Sequence, residues 1–294
     1  DRHVTIDRPT WQGRLAILKV HTRNKPLGDD VDLEKIARAM IGMSGADLRN
    51  LCNEAALLAA RDNRNRIEQA DFDRAADRIR MGPAREELLS DDEKRRTAYH
   101  EAGHALCAWM EPHADPILRV SILPRGRAGG VTLFQPDEDK IDLGANEMMA
   151  KLVVAMGGRA ADRLIYGEPR AGAMQDLKQA MRLARMMVTQ FGMSERLGPV
   201  SYRIGEEHVF LGKEIVEPRD FSEGTAQLID QEVQRILREA DQRAYDLINR
   251  NRQALEKIVQ SLLQHEELSK EQLDALLGEK TPQTQGRSAV EAVV

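Results

Sequence analysis

In the stretch "TAYHEAGHAL", residues 97–106, His100 and His104 stand four positions apart, and Glu101 directly follows the first histidine. The spacing demands a helix if the two imidazoles are to act together, because side chains at i and i+4 lie on one helix face and can aim at a single ion. Glu101 then follows about 100° round the helix, beside that ion rather than on it. This is the H-E-x-x-H arrangement, in which two neutral histidines hold Zn²⁺ and the glutamate takes a proton from a zinc-bound water. The bland reading of the same string is a pair of helix-surface histidines with no metal. The context has to decide.

That context is a mainly helical chain. Ser90, with Glu93 three residues on, caps the helix that carries both histidines. Ahead of it, Pro9 opens a helical pattern through Leu15, Ile17, Leu18 and Val20, and a second helix is expected over 33–40. Ser44 and Asp47 form a capping box for a third helix with Leu48, Leu51, Ala55 and Leu58 at helical spacing, and a fourth covers 69–79. These four make a small helical domain, and Gly82 with Pro83 marks a boundary or hinge after it.

Past Pro116, "ILRVSILP" and "GGVTLFQP" are short runs rich in Ile, Val, Leu and Thr, bounded by Gly and Pro, and they predict a small hairpin-like sheet. Helices are expected again over 145–166, 172–191, 222–249 and 251–264, the last two as an antiparallel pair with a broad apolar stripe. The polar tail 279–294 is expected to be disordered. The domain limits are therefore 1–81, a linker at 82–92, a second domain at 93–278, and the tail. Residues 3–6 read as a strand with no partner nearby in sequence, so the chain is expected to be a fragment of something longer.

Composition supports this picture and excludes some functions. Aromatic residues are only 4% while methionines number 12, a mix that suits helices better than sheets. The formal net charge is -5, with acids and bases alternating rather than forming basic blocks, so nucleic-acid binding has no electrostatic support. Cys52 and Cys107 are the only cysteines, which points to a reducing compartment and no disulfide framework. No run approaches the roughly 18 apolar residues of a membrane helix, and the chain is expected to be soluble as given.

Zinc needs a third protein ligand if one position is to stay open for water. Cys107 lies near the same angular face as the histidines, but seven residues of helix separate it from His100 by about 10 Å of rise. It reads as a small buried hydrophobe. Asp176 is the stronger candidate. In "GAMQDLKQAMRLARMMVTQF" it falls within an apolar sector formed by Ala173, Leu177, Ala180, Leu183, Ala184, Met187 and Phe191. A carboxylate turned toward a core is costly unless a cation or donors meet it. An acid near a helix start, stabilised by the dipole and free N–H groups, is the equal alternative at this point.

Several separate stretches resemble one family in its own order. "TAYHEAGHAL", "PRGRAGGVTLFQP", "GGRAADRLIYGE", "AGAMQDLKQAMRLARMMVTQFGMSERLGPVSY" and "VFLGKE" are similar to the protease domain of the FtsH family of ATP-dependent, membrane-anchored zinc metalloproteases. "ILKVHTRN" and "GMSGADLRNLCNEAALLAAR" resemble the end of that family's AAA+ module, chiefly its helical lid. The resemblance implies a mainly α fold, a helical AAA+ lid followed by a mostly helical zinc protease domain with a small sheet. It also implies Asp176 as the third zinc ligand, although Ala171 stands where the family has a threonine. Glu101 is then the general base, and Gly130, Val131, Thr132, Leu133 and Phe134 form the edge strand on which an extended substrate adds.

The same resemblance implies that His21, Gly45 and Ala46 line an adenine pocket, and that Gly82 is a hinge. The chain has no G-x-x-x-x-G-K-[ST] loop and no apolar run ending in Asp-Glu, so ATP and Mg²⁺ are expected only in the full-length protein. Polypeptide substrates, a homohexameric ring, one Zn²⁺ per chain, and membrane attachment through a missing N-terminal anchor with this part in the cytoplasm complete the expectation. The alternative is a non-catalytic helical module that only holds an AAA+ ring together. A scaffold would not require His100, Glu101, His104 and Asp176 as a set.

Overall fold

The computed structural model describes residues 7–82, 90–124, 129–134, 142–202 and 221–278. The strand expected at 3–6, the linker beyond Gly82 up to residue 89, and the tail 279–294 lie outside the described residues.

Helices begin where local chemistry starts them. Helix α1 is Trp11–Thr22, with Thr10 as its cap, and α2 is Leu33–Ala39, where Asp32 accepts from the backbone of Glu34 and Lys35. At α3 (Gly45–Arg61) the Ser44 hydroxyl accepts from Asp47 N–H, and the Asp47 carboxylate accepts from Ser44 N–H at 2.9 Å. These helices and α4 (Gln69–Met81) close on Leu18, Ile36, Leu48, Leu51, Ala55, Phe72 and Ala75, all buried. Gly82 caps α4 with φ +85°, a conformation that favours glycine.

A second core lies in the rest of the chain. Helix α5 (Asp91–Met110) is started by a Ser90–Glu93 capping box and carries Asp91, Asp92 and Glu93 in its first turn, where the helix dipole favours negative charge. It packs against α6 (Ala145–Tyr166), which ends at Gly167 in the left-handed conformation with φ +76°. A 3₁₀ turn at Ala171–Ala173 leads into α7 (Met174–Thr189). Ion pairing ties the two cores, since Asp77 of α4 accepts from Arg119 in the second.

Two expectations need correction here. Helices α8 (Glu223–Arg250) and α9 (Arg252–His265) follow one another directly but do not make a two-helix hairpin: α8 lies chiefly along α6, and α9 along α5. Each apolar stripe is covered by the central pair instead of by the other. The buried row runs from Ala173, just before α7, to Ala180, Ala184 and Met187 on it, whereas Leu177 on α7 and Phe191 just beyond it are 40% and 46% exposed, because the helix rests on α6 and α8 through its alanines.

The hairpin is present and larger than expected. Strand β1 (Ile117–Ser121) pairs antiparallel with β2 (Val131–Phe134), with Val120 opposite Thr132. A third strand, β3 (Glu267–Ser269), pairs with the other side of β1 and is followed by α10 (Lys270–Leu277). Among the described residues, the order β2-β1-β3 leaves β2 on an edge.

Candidate metal centre

The geometry of the site starts from two glycines. A Cβ on Gly103 would lie 2.4 Å from the Gly157 carbonyl oxygen, and one on Gly157 would lie 2.5 Å from that of Gly103. Only glycine at both positions lets α5 and α6 approach this closely. The helices run antiparallel from there, so His100 meets Asp162 and, one turn further out, Arg96 meets Tyr166.

This approach fixes both imidazoles. His104 Nδ1 lies 2.8 Å from the Val154 carbonyl oxygen, and His100 Nδ1 lies 3.0 Å from Asp162 Oδ2. The near neighbours are acceptors, and the Gly158 N–H approaches His104 Nδ1 only at 3.4 Å, so in the neutral rings each Nδ1 carries the proton and each Nε2 offers a lone pair. The two Nε2 atoms face each other at 3.2 Å, and Asp176 Oδ2 lies 3.3 Å from one and 3.6 Å from the other. Ligand bonds of about 2.0–2.1 Å in a tetrahedron place donor atoms about 3.3 Å apart, so the three separations suit a single ion. A Cβ on Gly158 would fall 2.5 Å from His100 Nε2 and 2.6 Å from His104 Nε2. The glycine keeps the space before these nitrogens clear.

Without a cation, three electron-rich atoms this close repel one another unless a proton is shared. The titration of the cluster reflects that. Burial alone would lower the pKa of His100, but hydrogen bonds to Asp162 and Asp176 and the charge of Glu101 raise it from 6.5 to about 10. Burial disfavours the charge on Asp176, yet its bonds to His100 and His104 outweigh this and hold the carboxyl well below the usual range. Among the described residues, His100, His104 and Asp176 are the group of such side chains that could hold a metal ion.

Glu101 is next to the ligand set and differs from it. It is buried, and burial pushes its pKa up against the opposing pull of His104 and His100. The Thr132 hydroxyl on β2 donates to Glu101 Oε2 at 2.8 Å. A Cβ on Gly130 would lie 2.8 Å from Glu101 Cγ and 2.7 Å from Thr97 Cγ2, so the start of β2 passes directly over α5. Val131, Thr132, Leu133 and Phe134 are all partly exposed on this edge strand.

The other predicted positions are distant in sequence and lie in the first core. His21 is half-buried in the last turn of α1, and Gly45 with Ala46 opens α3. A Cβ on Gly45 would meet Ile17 Cδ1 at 3.8 Å, one turn before His21, so the end of α1 borders the start of α3. Cys107 is fully buried, and burial pushes its thiol far above the usual range, in keeping with a small hydrophobe. Sequence reasoning missed Asp162 and the Val154 carbonyl, and it named Thr132 as part of the substrate strand without foreseeing its bond to Glu101. Asp162 could have been found, since a carboxylate within the apolar run of "GGRAADRLIY" poses the same question as Asp176.

Residues 87–276 match peptidase family M41, and residues 30–74 match the AAA+ lid domain. Among curated relatives, the ATP-dependent zinc metalloprotease FtsH 1 of Rhodopirellula baltica is 51% identical over 95% of this chain and 41% of its own length. FtsH 4 of Sphaerobacter thermophilus, also described as an ATP-dependent zinc metalloprotease, is 48% identical over 95% of this chain and 42% of its own length. That of Nitrosococcus oceani is 47% identical over 92% and 42%. The chain spans less than half the length of these relatives.

Proposed function

The chain belongs to peptidase family M41, and from that premise we propose that it is the proteolytic part, with the AAA+ lid, of an ATP-dependent zinc metalloendopeptidase. The observation that carries the reading is the convergence of His100 Nε2, His104 Nε2 and Asp176 Oδ2 with both Nδ1 atoms tied back. These three residues would hold Zn²⁺, with Asp162 and the Val154 carbonyl fixing the rings. When bound, zinc supplies Lewis acidity, bringing the pKa of a water toward about 7 and drawing charge from the scissile carbonyl.

The chain's own residues do the rest. Glu101 would accept the water's proton at its carboxylate and deliver it to the leaving amine, and burial, which raises its pKa, favours the uptake of that proton. Thr132 holds one carboxyl oxygen of Glu101 and so couples that base to β2. Among the described residues β2 pairs on one side only, so the stretch from Gly130 to Phe134 would offer its other edge to an extended polypeptide, which would add by backbone pairing.

The functions of the whole protein extend further. Unfolded or membrane proteins are the proposed substrates, fed by ATP-driven movement of the AAA+ module about Gly82. His21, Gly45 and Ala46 would border the adenine, while phosphates and Mg²⁺ would be bound by segments that this sequence does not include. A homohexameric ring and a membrane anchor outside this sequence, with this part in the cytoplasm, are part of the same proposal. Among the described residues no helix is long and apolar enough to cross a membrane.

The test is Glu101→Gln. The amide keeps shape and packing but loses the proton acceptor, so the variant should retain zinc while casein cleavage falls about 10²–10⁴-fold. Normal cleavage by the variant would remove Glu101 from this role.

A further inference from the structure

One turn outward from His100 and Asp162, where the central helices emerge, Arg96 and Arg170 both stack on the ring of Tyr166. The Arg96 guanidinium carbon lies 5.7 Å from the ring centroid and that of Arg170 lies 5.1 Å from it. Buried side-chain polar atoms without a hydrogen-bond partner are few among the described residues, and Arg96 Nε, Tyr166 Oη and Arg170 Nε are three of them. These three atoms are closed off from solvent, so the ring holds each guanidinium by its inner side and leaves the outer nitrogens, at the rim of a candidate catalytic centre, to meet an acceptor.

The acids nearby do not meet that need. Asp92 pairs with Arg96 at 2.5 Å but is 62% exposed, and Glu168 reaches only to 3.7 Å from Arg170 and is 68% exposed. Both contacts engage the outer Nη2 atoms and leave the Nε atoms unmet. Such solvated pairs contribute little and release easily. Arg95, on the neighbouring face, stacks on Tyr99, whose hydroxyl donates to Glu256, so that cation is matched elsewhere. The Arg170 side chain itself remains partly accessible, at 28%. It directly precedes the 3₁₀ turn that delivers Asp176 to the histidines.

We propose that Arg96, Arg170 and Tyr166 form a specificity subsite for a carboxylate side chain of the polypeptide substrate, close to the scissile bond. The proposal rests on the protease reading above and names the class of residue that this site prefers. Guanidinium groups take carboxylates through paired, charge-assisted hydrogen bonds, and a stacked guanidinium is already oriented for them. One helical turn is about 5.4 Å, and an extended chain rises about 3.3 Å per residue, so the preferred acid should sit roughly two residues from the cleaved bond.

The test uses the zinc-loaded chain and internally quenched peptides that differ only in one Glu or Gln, moved through the positions on either side of the cleaved bond. At one position Glu should raise kcat/KM about ten-fold over Gln, chiefly through KM. Arg170→Gln and Arg96→Gln should bring that ratio toward one, and Arg170→Lys should keep part of it. No preference at any position, or a preference untouched by both glutamine variants, overturns the subsite. If amidating the peptide's C-terminus abolishes the preference while the Glu position is irrelevant, the carboxylate is the chain end, and the side-chain assignment is wrong. If no peptide is cleaved at all, the protease reading fails, and the anisotropy of labelled Glu and Gln peptides on the same chain judges the subsite separately. Tighter binding of the Glu peptide, lost in Arg170→Gln, would support the subsite; equal binding would overturn it.

Discussion

Helices α3 and α5 begin alike and bury different things. Each starts at a serine whose hydroxyl and backbone are answered by a carboxylate three residues on. Helix α3 then buries Leu48, Leu51, Cys52, Ala55, Leu58 and Ala59, and nothing polar. Helix α5 buries Glu101 and His104 among its alanines and holds His100 half-buried beside them. A helix that needs only to pack follows the apolar pattern throughout. One that breaks the pattern with buried charge must have partners for it, and here they are Asp162, Asp176, Thr132 and the Val154 carbonyl.

The comparison is broken most severely by removing a partner. Asp176→Asn should weaken zinc binding at least about 100-fold with the fold intact, and Asp162→Asn should weaken it by about 10–100-fold through loss of ring orientation. Competition with a fluorescent chelator measures both. Unchanged affinity in Asp176→Asn would return that residue to a structural role.

Glycine to alanine separates the two regions next. In α5, Gly103→Ala forces Cβ against the Gly157 backbone and should cost about 1–3 kcal/mol, along with part of the zinc affinity. In α3, Gly45→Ala meets only Ile17 at an ordinary 3.8 Å and should be neutral or stabilising by up to about 1 kcal/mol. Denaturant melts of the two variants make the contrast; equal losses would mean that the glycine crossing is not what holds the helices together.

Acidity sharpens the same contrast. His100 has its pKa raised in the metal-free fold from 6.5 to about 10, so its contribution to metal-free stability is fully present below 6.5 and disappears as pH rises through about 10. Zinc requires the neutral ring, so across that window each bound ion releases a proton from His100, and apparent affinity should rise up to about ten-fold per pH unit. Calorimetry in buffers of different ionisation enthalpy counts the proton. Zinc affinity flat from pH 6.5 to 9 would contradict the assignment.

The smallest effects are at the caps. Ser44→Ala and Ser90→Ala should each cost about 1 kcal/mol, and Ser44→Ala should leave zinc affinity as it was. Thermal melts with and without zinc would read both.

How much of this was legible follows from range. The capping boxes and the i,i+4 histidine pair are written within a few residues of chain, so the starts of α3 and α5 and the face shared by His100 and His104 could be read directly. The β1–β2 hairpin needed only two short apolar runs. Strand β3 could not be seen, because three residues carry no alternation and their partner Ser121 lies on a strand 146 residues earlier. The separate destinations of α8 and α9 were hidden for a related reason: an apolar stripe says that a face is covered, not by which helix. Asp162 lay in plain view, but its meaning depends on His100, 62 residues away. Read from its own neighbours alone, Asp176 stood ambiguous between helix start and ligand; the resemblance chose the ligand, because the histidine it meets is 76 residues distant in the chain.

X-ray absorption at the zinc edge of the purified, zinc-loaded chain tests the central claim most directly. The account predicts one zinc per chain, with nitrogen and oxygen ligands alone at about 2.0–2.1 Å and the multiple-scattering signature of two imidazoles. A zinc–sulfur shell at about 2.3 Å, or a chain that retains no zinc, would contradict it.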